Sequence, residues 1–165
     1  MIRVAVVGAS GRMGKELIKS IVLAEKKTCI DITNVSRVQM AVAVSRLKES
    51  SISVKELGLD SSVIGKDAGE LAGIGKINIP IVADLAEVID QFDVLIDFTR
   101  PDCSMQYIEL CRQAGKQVII GTTGYSEAQK ADIAKAAEDI AIVLAPNMSV
   151  GVNLSLKLLE MTAKV

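Results

Sequence analysis

An apolar run, Ile2 to Val7, passes without a linker into Gly8-Ala9-Ser10-Gly11-Arg12-Met13-Gly14, and an amphipathic stretch follows at once. That order confines the chain to a small set of folds. A strand that feeds a glycine turn and then a helix leaves the first helical N–H groups unpaired, at the positive end of the helix dipole. A phosphate suits such a place. Gly8 fits the sharp turn, Gly11 the close approach of a diphosphate to the backbone, and Gly14 the close packing of helix on strand. Ser10 stands where the commoner G-x-G-x-x-G spacing has its middle glycine. A glycine-rich turn with no ligand is the plain alternative.

The rest of the chain repeats the alternation. Runs at Ile2 to Val7, Val38 to Val44, Ile79 to Val82, Val94 to Phe98, Gln117 to Ile120 and Ala141 to Leu144 read as strands covered on both faces. Met13, Leu17, Ile18, Ile21 and Val22 recur at helical spacing, as do Tyr107, Ile108, Cys111 and Ala114. Thr99 with Asp102, and Ser126 with Gln129, have the offset of capping boxes, and Gly115 suits a helix stop. With right-handed crossovers this order predicts an α/β chain: a Rossmann-type doubly wound, mostly parallel sheet with its ligand crevice at the carboxyl ends of the strands. One stretch leaves two choices, since Cys29 to Val35 and Val38 to Val44 both resemble a second strand and both end in Val-Ser-Arg.

Residues 1–150 are expected to form this domain. Residues 151–165 read as a helix with Leu154, Leu158 and Met161 on one face and Leu156, Leu159 and Ala163 on another, apolar surface that calls for a partner. The chain looks like one lobe whose companion is absent.

Composition removes whole classes of chemistry. There is no histidine, so an imidazole base, a Ser-His pair and a His-ligated metal are all excluded within this polypeptide. A net charge of −1 and 2% aromatic residues argue against nucleic acid as a partner. The apolar runs are far shorter than the roughly 20 residues of a membrane span, and Cys29, Cys103 and Cys111 are unclustered, as suits buried thiols in the cytoplasm.

An adenosine ribose is usually read at the end of the second strand, an acid pairing with free hydroxyls and an arginine accommodating a 2′-phosphate. Here that position offers Ser45-Arg46, or Ser36-Arg37 if the earlier run is the strand, with Asp31 falling mid-strand. Neither end carries a carboxylate, so NADPH should be at least as welcome as NADH. Three further turns, Asp97-Phe98-Thr99-Arg100-Pro101, Gly121-Thr122-Thr123-Gly124 and Ala145-Pro146-Asn147-Met148-Ser149, should line the same crevice. Small residues and hydroxyls there admit a carboxamide or carboxylate, and Phe98 can wall the apolar side of a ring.

Together with Lys66-Asp67-Ala68-Gly69-Glu70-Leu71-Ala72-Gly73 and Asn147-Met148-Ser149-Val150-Gly151-Val152-Asn153, these motifs strongly resemble the 4-hydroxy-tetrahydrodipicolinate (dihydrodipicolinate) reductase family of lysine and diaminopimelate synthesis. The resemblance implies an NADPH- or NADH-dependent oxidoreductase, usually a homotetramer, that reduces a small cyclic dicarboxylate. By position it assigns Gly8, Gly11, Arg12 and Met13 to the diphosphate and Arg46 to the adenosine ribose. Phe98 and Thr99 line the cleft, Gly121 and Thr123 place the nicotinamide carboxamide, Thr123 also approaches a substrate carboxylate, and Pro146, Asn147 and Met148 follow the nicotinamide pocket; Ser10 and Thr122, within the same turns, are expected to bind the cofactor as well. Ser45 replaces the family's ribose-reading acid, the stretch around the second strand is longer, and the family's second lobe with its paired histidines and lysine has no counterpart here. No catalytic residue is therefore expected in this chain, and nucleotide binding without turnover is. A semialdehyde or homoserine dehydrogenase lobe, and a non-catalytic nucleotide- or CoA-binding module, share the opening strand, turn and helix.

Overall fold

The computed structural model describes residues 1–27, 38–45 and 61–164. Its elements are β1 (Ile2–Val7), α1 (Arg12–Lys27), β2 (Val38–Val44), α2 (Ala68–Ala72), β3 (Ile81–Val82), β4 (Val94–Asp97), α3 (Pro101–Gln113), β5 (Gln117–Ile120), α4 (Glu127–Ala136), β6 (Ile142–Leu144) and α5 (Val150–Thr162), with 3-10 turns at Ser61–Val63 and Ala86–Gln91. The six strands form one sheet in the order β3-β2-β1-β4-β5-β6, and every pairing between them is parallel. Chain direction across the sheet therefore reverses between β1 and β4, and a crevice opens there at the strands' carboxyl ends. The expected strands appear with frayed limits: the third is cut to Ile81–Val82, and the second is Val38–Val44. The competing run 29–35 lies outside the described residues, as do Arg37, Arg46 and Cys29.

Apolar side chains on both faces hold the sheet between helices. Val4, Val6, Met40 and Ala43 pack with Ile18, Ile21 and Val22 of α1 and with Ala68 and Ala72 of α2. Ala5, Val7, Val42, Val44, Leu95, Val118 and Ile120 pack on the other face with Phe92 and with α3 and α4. Adjacent residues of β2 would normally alternate, yet Met40 and Ala43 share a face. The cause is a bulge: Val4 pairs with Met40 and Ala5 with Val42, so Ala41 is an extra residue that flips the parity.

One expectation about coverage needs correction: Val143 of β6, at the sheet edge, is 54% exposed rather than covered. Met13, although it shares the helical spacing of the α1 core residues, is 45% exposed at the start of α1, beside the glycine turn. Chain ends also differ in kind. Ser126 and Gln129 do form the capping box that opens α4, whereas Thr99 and Asp102 do not form one. The N-cap of α3 is Arg100, with no side-chain cap and with Pro101 supplying the preset φ of a first helical turn. Thr99 Oγ1 instead donates to Asp97 Oδ1. Gly115 ends α3 as expected, at φ 66°, where Lys116 N–H reaches Cys111 O and Gly115 N–H reaches Arg112 O.

Asp67, in the Lys66–Gly73 motif of the sequence, ties its region together. Its Oδ1 accepts from the N–H groups of Gly69, Glu70 and Ile77, capping α2 and holding the return to β3. Burial opposes ionisation of this carboxyl, but the backbone donors outweigh it and hold its pKa below the ordinary value.

Arg3 and Asp93 clamp the start of β1 to the entry of β4. Arg3 Nη2 donates to Asp93 Oδ1 at 2.6 Å and its backbone N–H to Oδ2 at 2.8 Å. The guanidinium hydrogen bond, followed by the backbone one, lowers the Asp93 pKa to about 2. A folded-state pKa below the unfolded one, roughly 4, means this clamp stabilises fully above pH ~4 and is lost as pH falls through about 2. Both side chains are about 40% exposed, so salt weakens the effect. Asp93→Asn should therefore flatten the fall of melting temperature between pH 4 and 2 relative to the unaltered chain. An unchanged slope would assign acid sensitivity elsewhere.

Candidate functional site

β1 delivers the chain to Gly8 at φ 71°, a left-handed turn that a side chain would strain. Gly11 N–H then closes on Gly8 O at 2.9 Å, and α1 begins at Arg12. A Cβ on Gly11 would lie 3.1 Å from Gly8 O, and one on Gly14 would collide with Gly8 O and with the Cα of Ala9. The turn is therefore a bare backbone cradle at the amino end of a 16-residue helix with no acid in its first turn. Gly11, Arg12 and Met13 are exposed on its rim.

The second strand end meets this cradle. Ser45 is buried, its hydroxyl 2.9 Å from that of Ser10, and Ala9 N–H donates to Val44 O. Ser10 thus contributes a hydroxyl where a glycine would contribute none. The end of β2 therefore meets the glycine turn through a neutral hydroxyl pair.

The turns after β4 and β5 close the other side. A Cβ on Gly8 would lie 3.0 Å from Thr99 Cγ2, and one on Gly121 would fall within the Phe98 ring. Phe98 and Thr99 are half-buried, and Thr123 is exposed. Thr122 differs: it is buried, and its hydroxyl accepts from Thr99 N–H at 2.9 Å and from Ser104 Oγ at 3.2 Å. After β6, Ala145 N–H donates to Ile120 O, setting Pro146, Asn147 and Met148 beside the Gly121 turn. Asn147 Oδ1 accepts from Ser149 N–H, and Asn153 Nδ2 donates to the carbonyls of Asn147 and Ser149. The motif from Asn147 to Asn153 is in this way a self-bonded turn that launches α5 from the crevice.

The structure places the site residues the sequence singled out on the turns after β1, β4, β5 and β6, except Arg46 and its alternative Arg37, which lie outside the described residues. Sequence reasoning missed the work of Asp97. It is fully buried at the end of β4, with Thr99 N–H and Oγ1 donating to Oδ1 at 2.8 and 2.6 Å. Its signal was an acid closing an apolar strand, where solvation would normally exclude one. Cys111 is inert by comparison: burial pushes its thiol up to about 12. Among the described residues no cluster of three or more acids, cysteines or histidines could hold a metal. Likewise, no described helix is long and apolar enough to cross a membrane. A groove between α3 and α4, lined by Met105, Ile108, Arg112 and Lys135, lies on the outer helical face and contributes nothing to the crevice.

A glycine cradle at the point where strand order reverses, with three further turns around it, defines a Rossmann-class lobe of the kind used by oxidoreductases. The family model for the N-terminus of dihydrodipicolinate reductase matches residues 2–148, and the chain belongs to that family. It is 45% identical over 164 residues to 4-hydroxy-tetrahydrodipicolinate reductase of Hahella chejuensis, covering 99% of this chain and 53% of that protein. The chain thus spans about half the length of its curated relative. Among solved structures it resembles dipicolinate-bound dihydrodipicolinate reductase from Paenisporosarcina sp. TG-14, with a TM-score of 0.68 at 22% identity over 99% of this chain and 54% of that one. A putative homoserine dehydrogenase of Archaeoglobus fulgidus shares the fold at a TM-score of 0.57 and 17% identity, over 87% of this chain and 42% of that one.

Proposed function

We propose that this chain is the cofactor-holding lobe of a 4-hydroxy-tetrahydrodipicolinate reductase acting in lysine and diaminopimelate synthesis. The observation that carries the reading is the contact between turns: Gly8 against Thr99, and Gly121 against Phe98, so that the diphosphate cradle and the ring-sized end of the crevice form one continuous edge. The residues fit NADPH or NADH. Gly8, Ser10, Gly11, Arg12 and Met13 would hold the diphosphate with N–H groups and the α1 dipole. Ser45 and Arg46 would face the adenosine ribose. Phe98, Thr99 and Gly121 would seat the nicotinamide, with the backbone of Thr122 and the hydroxyl of Thr123 on its carboxamide and Pro146, Asn147 and Met148 beside it. A bound, reduced nicotinamide supplies a hydride to a cyclic unsaturated dicarboxylate. Thr123, which is exposed, would also meet one substrate carboxylate.

The chain offers no histidine as proton donor, so we assign that step, and most of the substrate contacts, to a second lobe beyond residue 150. Apolar α5 supports this boundary. Leu154, Leu156, Leu158, Leu159 and Met161 are all more than half exposed, a patch that a partner lobe in a full-length homotetramer would cover. Alone, the chain should bind nucleotide with negligible turnover. Titration with NADPH, NADH and CoA tests the reading: saturable dinucleotide binding is the expected result, and tight CoA binding without a dinucleotide response would overturn it. Arg46→Ala and Arg37→Ala, measured separately, should identify the ribose reader. The correct one loses about 1.5 to 3 kcal/mol of NADPH affinity, the range for a charge-assisted hydrogen bond, with NADH nearly unchanged.

A further inference from the structure

Asp97 pairs across the sheet with Val7 on β1 and Ile120 on β5, so it stands at the centre of the crevice floor. Among the described residues only one of its carboxylate oxygens is used: Oδ1 gathers Thr99 N–H, Thr99 Oγ1 and, at 3.4 Å, Thr122 Oγ1, while buried Oδ2 meets no donor there. Thr122 Oγ1 extends the cluster to Ser104 in the first turn of α3, and Gly121 N–H donates to the Asp97 carbonyl at 2.9 Å. Leaving half of a buried carboxylate without donors is costly and points to a local purpose rather than to general stability. The geometry identifies what is held. With Oγ1 bound to Asp97, Thr99 turns Cγ2 toward Gly8, and Phe98, between Asp97 and Thr99, lies against Gly121.

We propose that Asp97 is a positioning residue for the nicotinamide end of the site: its single Oδ1 fixes the Phe98-Thr99 and Gly121-Thr122 turns in the relative placement that accepts the ring. The inference rests on the dinucleotide reading above. It does not require the negative charge, because an asparagine carbonyl offers the same acceptor. NADH and ADP-ribose separate the possibilities, since they differ only in the nicotinamide. In the full 165-residue chain, Asp97→Ala should weaken NADH by about tenfold or more while ADP-ribose affinity stays within about twofold. Asp97→Asn should restore NADH to within about threefold of the unaltered chain. Thr122→Val, which keeps the shape and deletes the hydroxyl, should reproduce part of the loss should Asp97→Ala fail to fold. Equal weakening of both ligands, no weakening of either, or an Asn variant as impaired as the Ala variant would overturn the positioning role. Failure of the unaltered chain to bind ADP-ribose or NADH at all would instead remove the dinucleotide reading itself.

Discussion

Gly14→Ala is expected to lower stability by about 3 kcal/mol, the upper end for overpacking, and to abolish nucleotide binding with it. On propensity alone the change should help, because alanine is favoured over glycine inside a helix by about 1 kcal/mol. Contact decides otherwise. The added methyl would collide with Gly8 O and with the backbone of Ala9. Neither obstacle is a flexible side chain, so α1 itself must move off β1, drawing Ile18, Ile21 and Val22 from the core they share with Val4 and Val6. A loss of this size corresponds to roughly 6–12 °C in melting temperature for a chain of this length. Gly151→Ala is the control: its nearest neighbour is the Ser149 hydroxyl at 4.0 Å, in the exposed α5, and it should raise stability by a few tenths to 1 kcal/mol. Equal melting temperatures for the Gly14 and Gly151 variants would show that the glycine is not there to let helix and strand approach.

That contrast marks how far the sequence could be read. The fold was legible because continuous β-branched runs and helical spacing both follow from burial, and burial decides strands of a parallel sheet. The glycine turn was legible for the same reason, its residue types being dictated by backbone geometry. Coverage was less so: Met13 has the spacing of a core residue but is exposed beside the glycine turn, and spacing carries no information about which end of a helix is free. Thr99 and Asp102 matched a capping pattern, yet the hydroxyl found a stronger acceptor in Asp97, a residue two positions earlier whose burial the local pattern does not encode. The Ser10–Ser45 contact, across 35 positions, depends on β1 and β2 being neighbours and had no local signal. Long-range polar contacts of this kind are set by topology, so they become readable only after the strands have been ordered.

Gly121→Ala should act in the opposite way to Gly14→Ala, sparing the fold and impairing the site. Its Cβ would fall within the Phe98 ring, and a ring can rotate where a backbone cannot. Phe98 is only half-buried, so we expect its ring to swing outward into the crevice, where it would obstruct the place assigned to the nicotinamide. The expected cost in stability is about 1–2 kcal/mol, against a loss of NADPH affinity on the order of a hundredfold, or about 2.7 kcal/mol. A double-mutant cycle isolates the cause. In a Phe98→Ala background the clash is gone, so adding Gly121→Ala should change NADPH affinity by less than about twofold, a strongly non-additive result. If instead the two changes add, Gly121 serves the site through its own backbone freedom and the Phe98 ring is a bystander. Gly121 is not among the residues with positive φ, and for that reason we expect the non-additive outcome: at this position the glycine is required by its neighbour's ring.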